Sequence, residues 1–251
     1  MGVNIRIAGM QVGLVLIVLV SLWVMFGGWA NEKNAQPEPE AATLIDYDYN
    51  DGESNLEVWL ERLEVDSREL YRHRKSVIAA TGVTDGDIVV DFASGTGVFS
   101  LLLAKAIENG GHVYSVDTSS RFLELMLDRA LDEDLQNITP VLAPPSAIPL
   151  YTEIADFVFI SSVYFDFDDR IKAIDNVRRV LKVEGELMIV DFKYDANNQS
   201  DPLKNHITYG KNDLIKEVEA LGLKFIEERF VDGVTENYLL LFTKPNNESV
   251  E

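Results

Sequence analysis

The chain has 251 residues, with 42 acidic against 22 basic side chains, a formal charge of −20 and no cysteine. Such acidity argues against a nucleic-acid ligand, because phosphate backbones recruit Lys and Arg. The missing thiols exclude disulfides, a thiolate nucleophile and a Cys-ligated metal. The length accommodates one large α/β domain with a full core, plus an appendage.

Residues 7–31 carry no charge, and Val12–Phe26 (VGLVLIVLVSLWVMF) is almost wholly apolar. That run is long enough to cross a bilayer as a helix, with Trp23 and Trp29 toward its far end, where aromatic rings suit the interface. Arg6 flanks one side and Glu32, Glu38 and Glu40 the other, so the positive-inside bias favours a domain outside the cytoplasm. Gly28-Trp29-Ala30 also offers the small residues of a cleavage site. Residues 1–30 are therefore read as a single-helix membrane anchor or an export signal to the periplasm. Residues 31–55 are polar, acidic and proline-marked, and read as a linker.

The domain reads from residue 56 to 245. Leu56–Leu63 has helical spacing, and Arg68–Ala80 (RELYRHRKSVIAA) is a clearer helix, with Leu70, Val77 and Ile78 for packing and Gly82 as its stop. After a turn at 84–87 comes Ile88–Ser100 (IVVDFASGTGVFS). Here a β-branched strand ends on Asp91, a small-residue turn follows through Ala93-Ser94-Gly95-Thr96-Gly97, and a helix runs Val98–Ile107. Glycines there let the backbone approach a ligand, and the helix start offers free N–H groups. Gly95-x-Gly97-x-x-Ser100 departs from the dinucleotide pattern G-x-G-x-x-G, and Asp91 would repel a pyrophosphate. A strand–turn–helix without any ligand is the plainer reading of the same residues.

A second strand, His112–Val116, ends on Asp117, about twenty residues beyond the glycine turn. That is the spacing at which a carboxylate bonds ribose hydroxyls; a plain helix cap is the alternative. Thr118 or Ser119 caps the helix Arg121–Leu131. Ile138–Leu142 is a third strand, followed by the proline-rich turn Ala143–Pro149. Ala155–Ser161 (ADFVFIS) is the central fourth strand. The segment beyond it, Ser161–Asp169, lies where open α/β sheets take their ligands. Ile171–Leu181 is a helix capped by Asp168, Val183-Glu184-Gly185 a turn, and Glu186–Val190 a fifth strand. A polar loop at 195–201, a helix at Leu214–Leu221 and a closing hairpin of Leu223–Phe230 with Asn237–Thr243 complete the domain. Residues 246–251 read as a frayed tail.

Asp91–Gly97 (DFASGTG) resembles motif I of the class I S-adenosylmethionine (SAM) methyltransferases, D/E-x-G-x-G-x-G, with Ala93 at the first glycine. Arg178–Phe192 (RRVLKVEGELMIVDF) resembles their segment R-x-L-K-P-G-G-x-L-x-I-x-D. The run from Arg68 to Arg74, with His206, is similar to a group of predicted bacterial methyltransferases, many bearing N-terminal export signals. That group has Tyr-His-His after the fourth strand, where this chain has Tyr164-Phe165-Asp166. The resemblance implies a Rossmann-like seven-stranded α/β methyltransferase sheet, mostly parallel with an antiparallel last strand and helices on both faces. It implies SAM as cofactor, bound by Asp91, Ala93, Ser94, Gly95, Gly97, Asp117, Thr118 and Ser161. Pro144 stands where an acid often bonds the adenine.

Methyl transfer from a sulfonium is an in-line displacement, for which a protein supplies positioning and a base. Tyr164, Asp166 and His206 are the catalytic candidates. Tyr164 would orient the acceptor or line the sulfonium, and Asp166, Asp168 or His206 would take a proton. His73 reads as a surface residue and His112 as a strand-packing one, and three scattered histidines make no metal motif. The expected acceptor is a small molecule or a membrane-associated one. Two rival readings are a catalytically impaired methyltransferase-fold binding module, suggested by Pro144, Phe165 and Asp166, and a nicotinamide-dependent oxidoreductase, opposed by Ser100 and Asp91.

Overall fold

The computed structural model describes residues 56–195, 204 and 207–246. The expected anchor or signal, the linker, the tail beyond 246 and His206 lie outside the described residues. Among the described residues no helix is long and apolar enough to cross a membrane.

Three short helices, α1 (Leu56–Leu63), α2 (Glu69–Arg72) and α3 (Arg74–Ala79), precede β1 (Ile88–Phe92) and α4 (Val98–Ala106). Then come β2 (His112–Asp117), α5 (Ser120–Asp132), β3 (Ile138–Leu142) and β4 (Ala155–Ser161). A 3-10 turn at Tyr164–Asp166 leads to α6 (Arg170–Val180), β5 (Leu181–Phe192), α7 (Lys211–Ala220), β6 (Lys224–Arg229) and β7 (Asn237–Thr243). The strands form one sheet in the order β3-β2-β1-β4-β5-β7-β6. The first five are parallel, and β7 runs antiparallel between β5 and β6. The expected seven-stranded sheet is therefore present, with its topological switch point between β1 and β4.

Alternate side chains of each central strand go to opposite cores. Val90, Phe92, Val158, Ile160, Leu187 and Ile189 face α6 and α7, against Ile174, Val177, Leu214 and Val218. Val89, Phe157, Phe159, Met188 and Val190 face α3, α4 and α5, against Val77, Leu103, Ile107 and Met126. Burial on both faces is why these strands read as continuous apolar runs rather than alternating ones. The two outer strands carry edge chemistry. β3 contains Pro140, and β6 carries Lys224, Glu227, Glu228 and Arg229, residues that deter further strand addition.

Four local expectations need correction. The helix expected over Arg68–Ala80 breaks at His73 (φ −100, ψ 13). There the imidazole packs so tightly on the turn before β7 that a Cβ on Gly233 would lie 2.5 Å from its Cε1. The fifth strand starts at Leu181, which pairs with Ala155 before a register shift, so the expected turn at 183–185 is an irregularity within a longer strand. Asp169, not Asp168, caps α6, accepting the Lys172 N–H at 2.9 Å. Finally, α7 begins at Lys211, behind Gly210 as its N-cap residue.

Candidate active site

The carboxyl ends of β1, β2 and β4 open into a cavity of about 370 Å³, within the range of small-molecule sites and at the place open α/β sheets put them. Its first wall is the turn after β1. Asp91, Ala93, Ser94, Gly95 and Thr96 line it. Gly95 has a φ of +53°, and a Cβ built on it would have nothing within 4 Å, so the backbone is bare toward the cavity. Ala93 holds the left-handed conformation at φ 59°, which explains why related turns place glycine there. Ser146 (φ 57°) and Ser162 (φ 56°) line the same cavity in the same conformation. Left-handed non-glycine residues cost on the order of 1–2 kcal/mol each and gather at ligand sites.

Asp117 ends β2 and forms the second wall with Thr118 and Val116. It is 6% exposed. Its Oδ2 accepts the Gly95 N–H at 2.8 Å and its Oδ1 the Ser119 N–H at 2.8 Å. Burial raises its pKa, and the N–H groups of Ser119, Gly95 and Thr118 oppose the rise. The cap of α5 is Ser119, which accepts from Phe122 N–H, so Asp117 is left to face the cavity. Asp91 lies deeper, 2% exposed, accepting the Ser100 hydroxyl at 2.5 Å. Burial pushes Asp91 up to about 7, the Ser100 bond pulls it down, and the charge of Asp117 adds to the rise.

The opposite walls are more apolar. Ala143, Pro144, Pro145 and Phe122 line one side, so polar recognition beside Pro144 falls to the backbone. Phe92 stacks on Phe167 at 4.9 Å between centroids, and both line the cavity. Ser146, Ser161 and Ser162 have shielded hydroxyls with no hydrogen-bond partner, polar groups that a ligand can satisfy. Leu63, Arg68 and Tyr71 contribute from α1 and the α2 segment.

Seven of the eight expected cofactor residues thus line one cavity: Asp91, Ala93, Ser94, Gly95, Asp117, Thr118 and Ser161. Gly97 does not. It caps α4 at φ +79°, and a Cβ there would lie 2.3 Å from Met126 Cγ, so it is a glycine of helix packing. Of the catalytic candidates, Asp166 is exposed and lines the cavity beside Asp168. Tyr164 is misplaced by the sequence reading. Its side chain is fully buried, its ring packs edge-on against Phe165 at 5.5 Å, and burial raises its phenol pKa. Its amide N–H instead donates to Asp191, a fully buried carboxyl that burial pushes up to about 7. His112 bonds Thr139 Oγ1 at 2.8 Å across β2 and β3. Arg68 and Tyr71 were missed as cavity residues; Arg68 reaches the cavity from the extended residue before α2, and Tyr71 from the helix itself.

This strand order, with a glycine turn at β1 and a carboxylate at the tip of β2, defines a methyltransferase-type fold. The family model described as the ubiE/COQ5 methyltransferase family matches residues 63–207, more than half of the chain, and the chain belongs to that family. A ubiquinone/menaquinone biosynthesis C-methyltransferase UbiE of Francisella philomiragia is 32% identical over 120 residues, 47% of this chain and 48% of that protein. The UbiE of Chromobacterium violaceum is 29% identical over 156 residues, 62% of each chain. The chain thus spans about half to three fifths of the length of these curated relatives. Among solved structures, a SAM dependent methyltransferase from Aquifex aeolicus superposes with a TM-score of 0.65 at 21% identity, covering 74% of this chain and 97% of that one. At that identity the likeness speaks for the fold alone.

Proposed function

We propose that the protein is a SAM-dependent methyltransferase that methylates a carbon of a small aromatic, hydroxyl-bearing acceptor of the quinol type. The observation that carries the reading is Asp117, a buried carboxylate held against the bare Gly95 backbone inside the strand-tip cavity. The residues present fit the cofactor. Asp117 suits the ribose hydroxyls, Val116, Phe122 and Ala143 offer apolar faces for a base, and the turn at Ser94 receives the remaining end. Bound SAM supplies a methyl group on a sulfonium, already activated for displacement.

The chain's own groups orient the acceptor and take its proton. The stacked Phe92 and Phe167 supply an aromatic face, and Arg68 on the same cavity holds an acceptor oxygen in its anionic form. Asp166 or Asp168, on the cavity rim, would take the proton that the acceptor carbon gives up on methylation. Names of the UbiE relatives support the acceptor class. The apolar run Val12–Phe26 supports membrane anchoring beside a lipid-soluble acceptor.

The test is a calorimetric titration of the full chain with SAM, with NADH as control, followed by label transfer from methyl-labelled SAM to short-chain quinols. Micromolar SAM binding and labelled quinol are expected. A folded protein that binds no SAM overturns the reading, and binding without transfer to any quinol overturns the acceptor class.

A further inference from the structure

Behind the cavity wall runs a chain of hydroxyls that no ligand contact explains. Ser94, on the cavity, has its Oγ 2.8 Å from Ser115 Oγ. Ser115 Oγ lies 3.0 Å from Ser100 Oγ, which lies 2.5 Å from Asp91 Oδ2. Ser100 and Ser115 are fully buried, and neither lines the cavity. Ser94, Ser115 and Ser100 come from three places in the chain: the turn after β1, the middle of β2 and the first turn of α4.

Each hydroxyl has one hydrogen and two lone pairs, so the state of Asp91 decides whether the chain has one order or several. With Asp91 ionised, Ser100 donates to the carboxylate, Ser115 donates to Ser100, and Ser94 donates to Ser115. Ser94 then shows only lone pairs to the cavity. With a proton on Asp91 Oδ2 the order is free to reverse, and Ser94 can turn a hydrogen to the cavity. The surroundings of Asp91 favour its neutral form, so the single ionised order belongs to pH above about 7. In register beside it, β2 places Ser115 and β4 places Phe159, α4 adds the uncharged Ser100, and Asp117 is the charged group acting on it.

We propose that Ser94, Ser115 and Ser100 form a hydroxyl relay that, when Asp91 is ionised, fixes Ser94 as an acceptor for the protonated amino group of an amino-acid-bearing ligand, with Ser115 as a positioning residue. This rests on the reading of the cavity as a SAM site. With its ribose held by Asp117 and its base against Ala143, such a ligand would have its amino-acid end held by the turn at Ser94, all three residues lining one cavity.

The experiment titrates the full chain at pH 8 with two probes, S-adenosylhomocysteine and 5′-methylthioadenosine, which is the same nucleoside thioether without the amino-acid end. Ser115→Ala is expected to weaken S-adenosylhomocysteine about tenfold, the range of a hydrogen bond to a charged group. It leaves 5′-methylthioadenosine unchanged, and Ser115→Thr, which keeps the hydroxyl, restores the loss. Equal weakening of both probes would show a merely structural serine and overturn the relay. So would no weakening of either while the wild type binds both. Failure of the wild type to bind either probe overturns the SAM reading itself, and the relay with it.

Discussion

Gly95 and Asp117 face each other across two strands, the Gly95 N–H donating to Asp117 Oδ2 at 2.8 Å while the Ser119 N–H holds Oδ1. The carboxylate is therefore oriented by backbone before any ligand arrives. Asp117→Asn keeps one acceptor oxygen for Ser119 but turns an amide N–H toward Gly95. SAM affinity is expected to fall tenfold or more, with stability lower by about 1 kcal/mol. Calorimetric titration and thermal unfolding read the two effects separately. An unchanged SAM affinity would remove Asp117 from the site.

The two glycines of the turn have different tasks, and their alanine variants separate them. At Gly95 a Cβ meets open cavity, whereas at Gly97 it meets Met126 Cγ at 2.3 Å and Cβ at 2.5 Å. Gly95→Ala costs about 1 kcal/mol of left-handed strain and puts a methyl where a ligand would sit. The expected result is a folded protein with SAM affinity reduced at least tenfold. Gly97→Ala adds overpacking of about 1–3 kcal/mol to the same strain, so thermal unfolding moves down much further. If Gly97→Ala proves as stable as Gly95→Ala, the packing assignment is wrong.

That contrast marks how far the sequence could be read. The ranges of β3, β4 and β7 match the sequence expectation residue for residue, because Ala155–Ser161 and Asn237–Thr243 are dense apolar runs and Ile138–Leu142 is a β-branched one, each bounded by turn residues. Motif I located Asp91, Ser94 and Gly95, since a strand–turn–helix brings near neighbours together. The motif could not separate Gly97 from Gly95, because only the position of Met126, far along the chain, distinguishes them. Tyr164 failed for the same reason. Its residue type suits an acceptor site, but the 3-10 turn after β4 carries its ring into the core. Contacts such as Ser94 with Ser115 depend on the register of β1 against β2, which no local pattern encodes.

Glu69 ties α2 to the chain just before β7, and with it the cavity residues Arg68, beside it, and Tyr71, two residues on. Its carboxylate, 6% exposed, accepts the Thr235 and Glu236 N–H groups and the Thr235 hydroxyl. Glu69→Gln loses at least one of these and leaves a buried donor unpaired, a cost of about 1–3 kcal/mol. A fall in Tm of roughly 2–4 °C per kcal/mol follows for a chain of this size, together with weaker SAM binding as Arg68 and Tyr71 shift. Scanning calorimetry with and without SAM checks both, and an unaltered Tm would show that the clamp contributes nothing.

Two buried carboxyls make stability fall as pH rises, in the same direction as the self-repulsion of so acidic a chain. Burial pushes both Asp91 and Asp191 from 3.8 up to about 7. Between those values the folded protein holds protons that the unfolded chain has released. Their stabilisation is therefore complete below about pH 4 and is lost as pH rises through 7. Glu69 works the other way. Burial raises its pKa, but the bonds from Thr235 and Glu236 outweigh that and hold it below 4.5, so its stabilisation is lost as pH falls below that value. The maximum then lies on the mildly acidic side. Tm is expected to be higher at pH 5.5 than at pH 8 by roughly 10 °C, the change that about 2 kcal/mol from each carboxyl produces in a chain of this length. Asp191→Asn, which carries no titrating proton, shrinks that difference, and adding Asp91→Asn shrinks it again. Were the double variant to keep the full wild-type difference, the two carboxyls would not be its source.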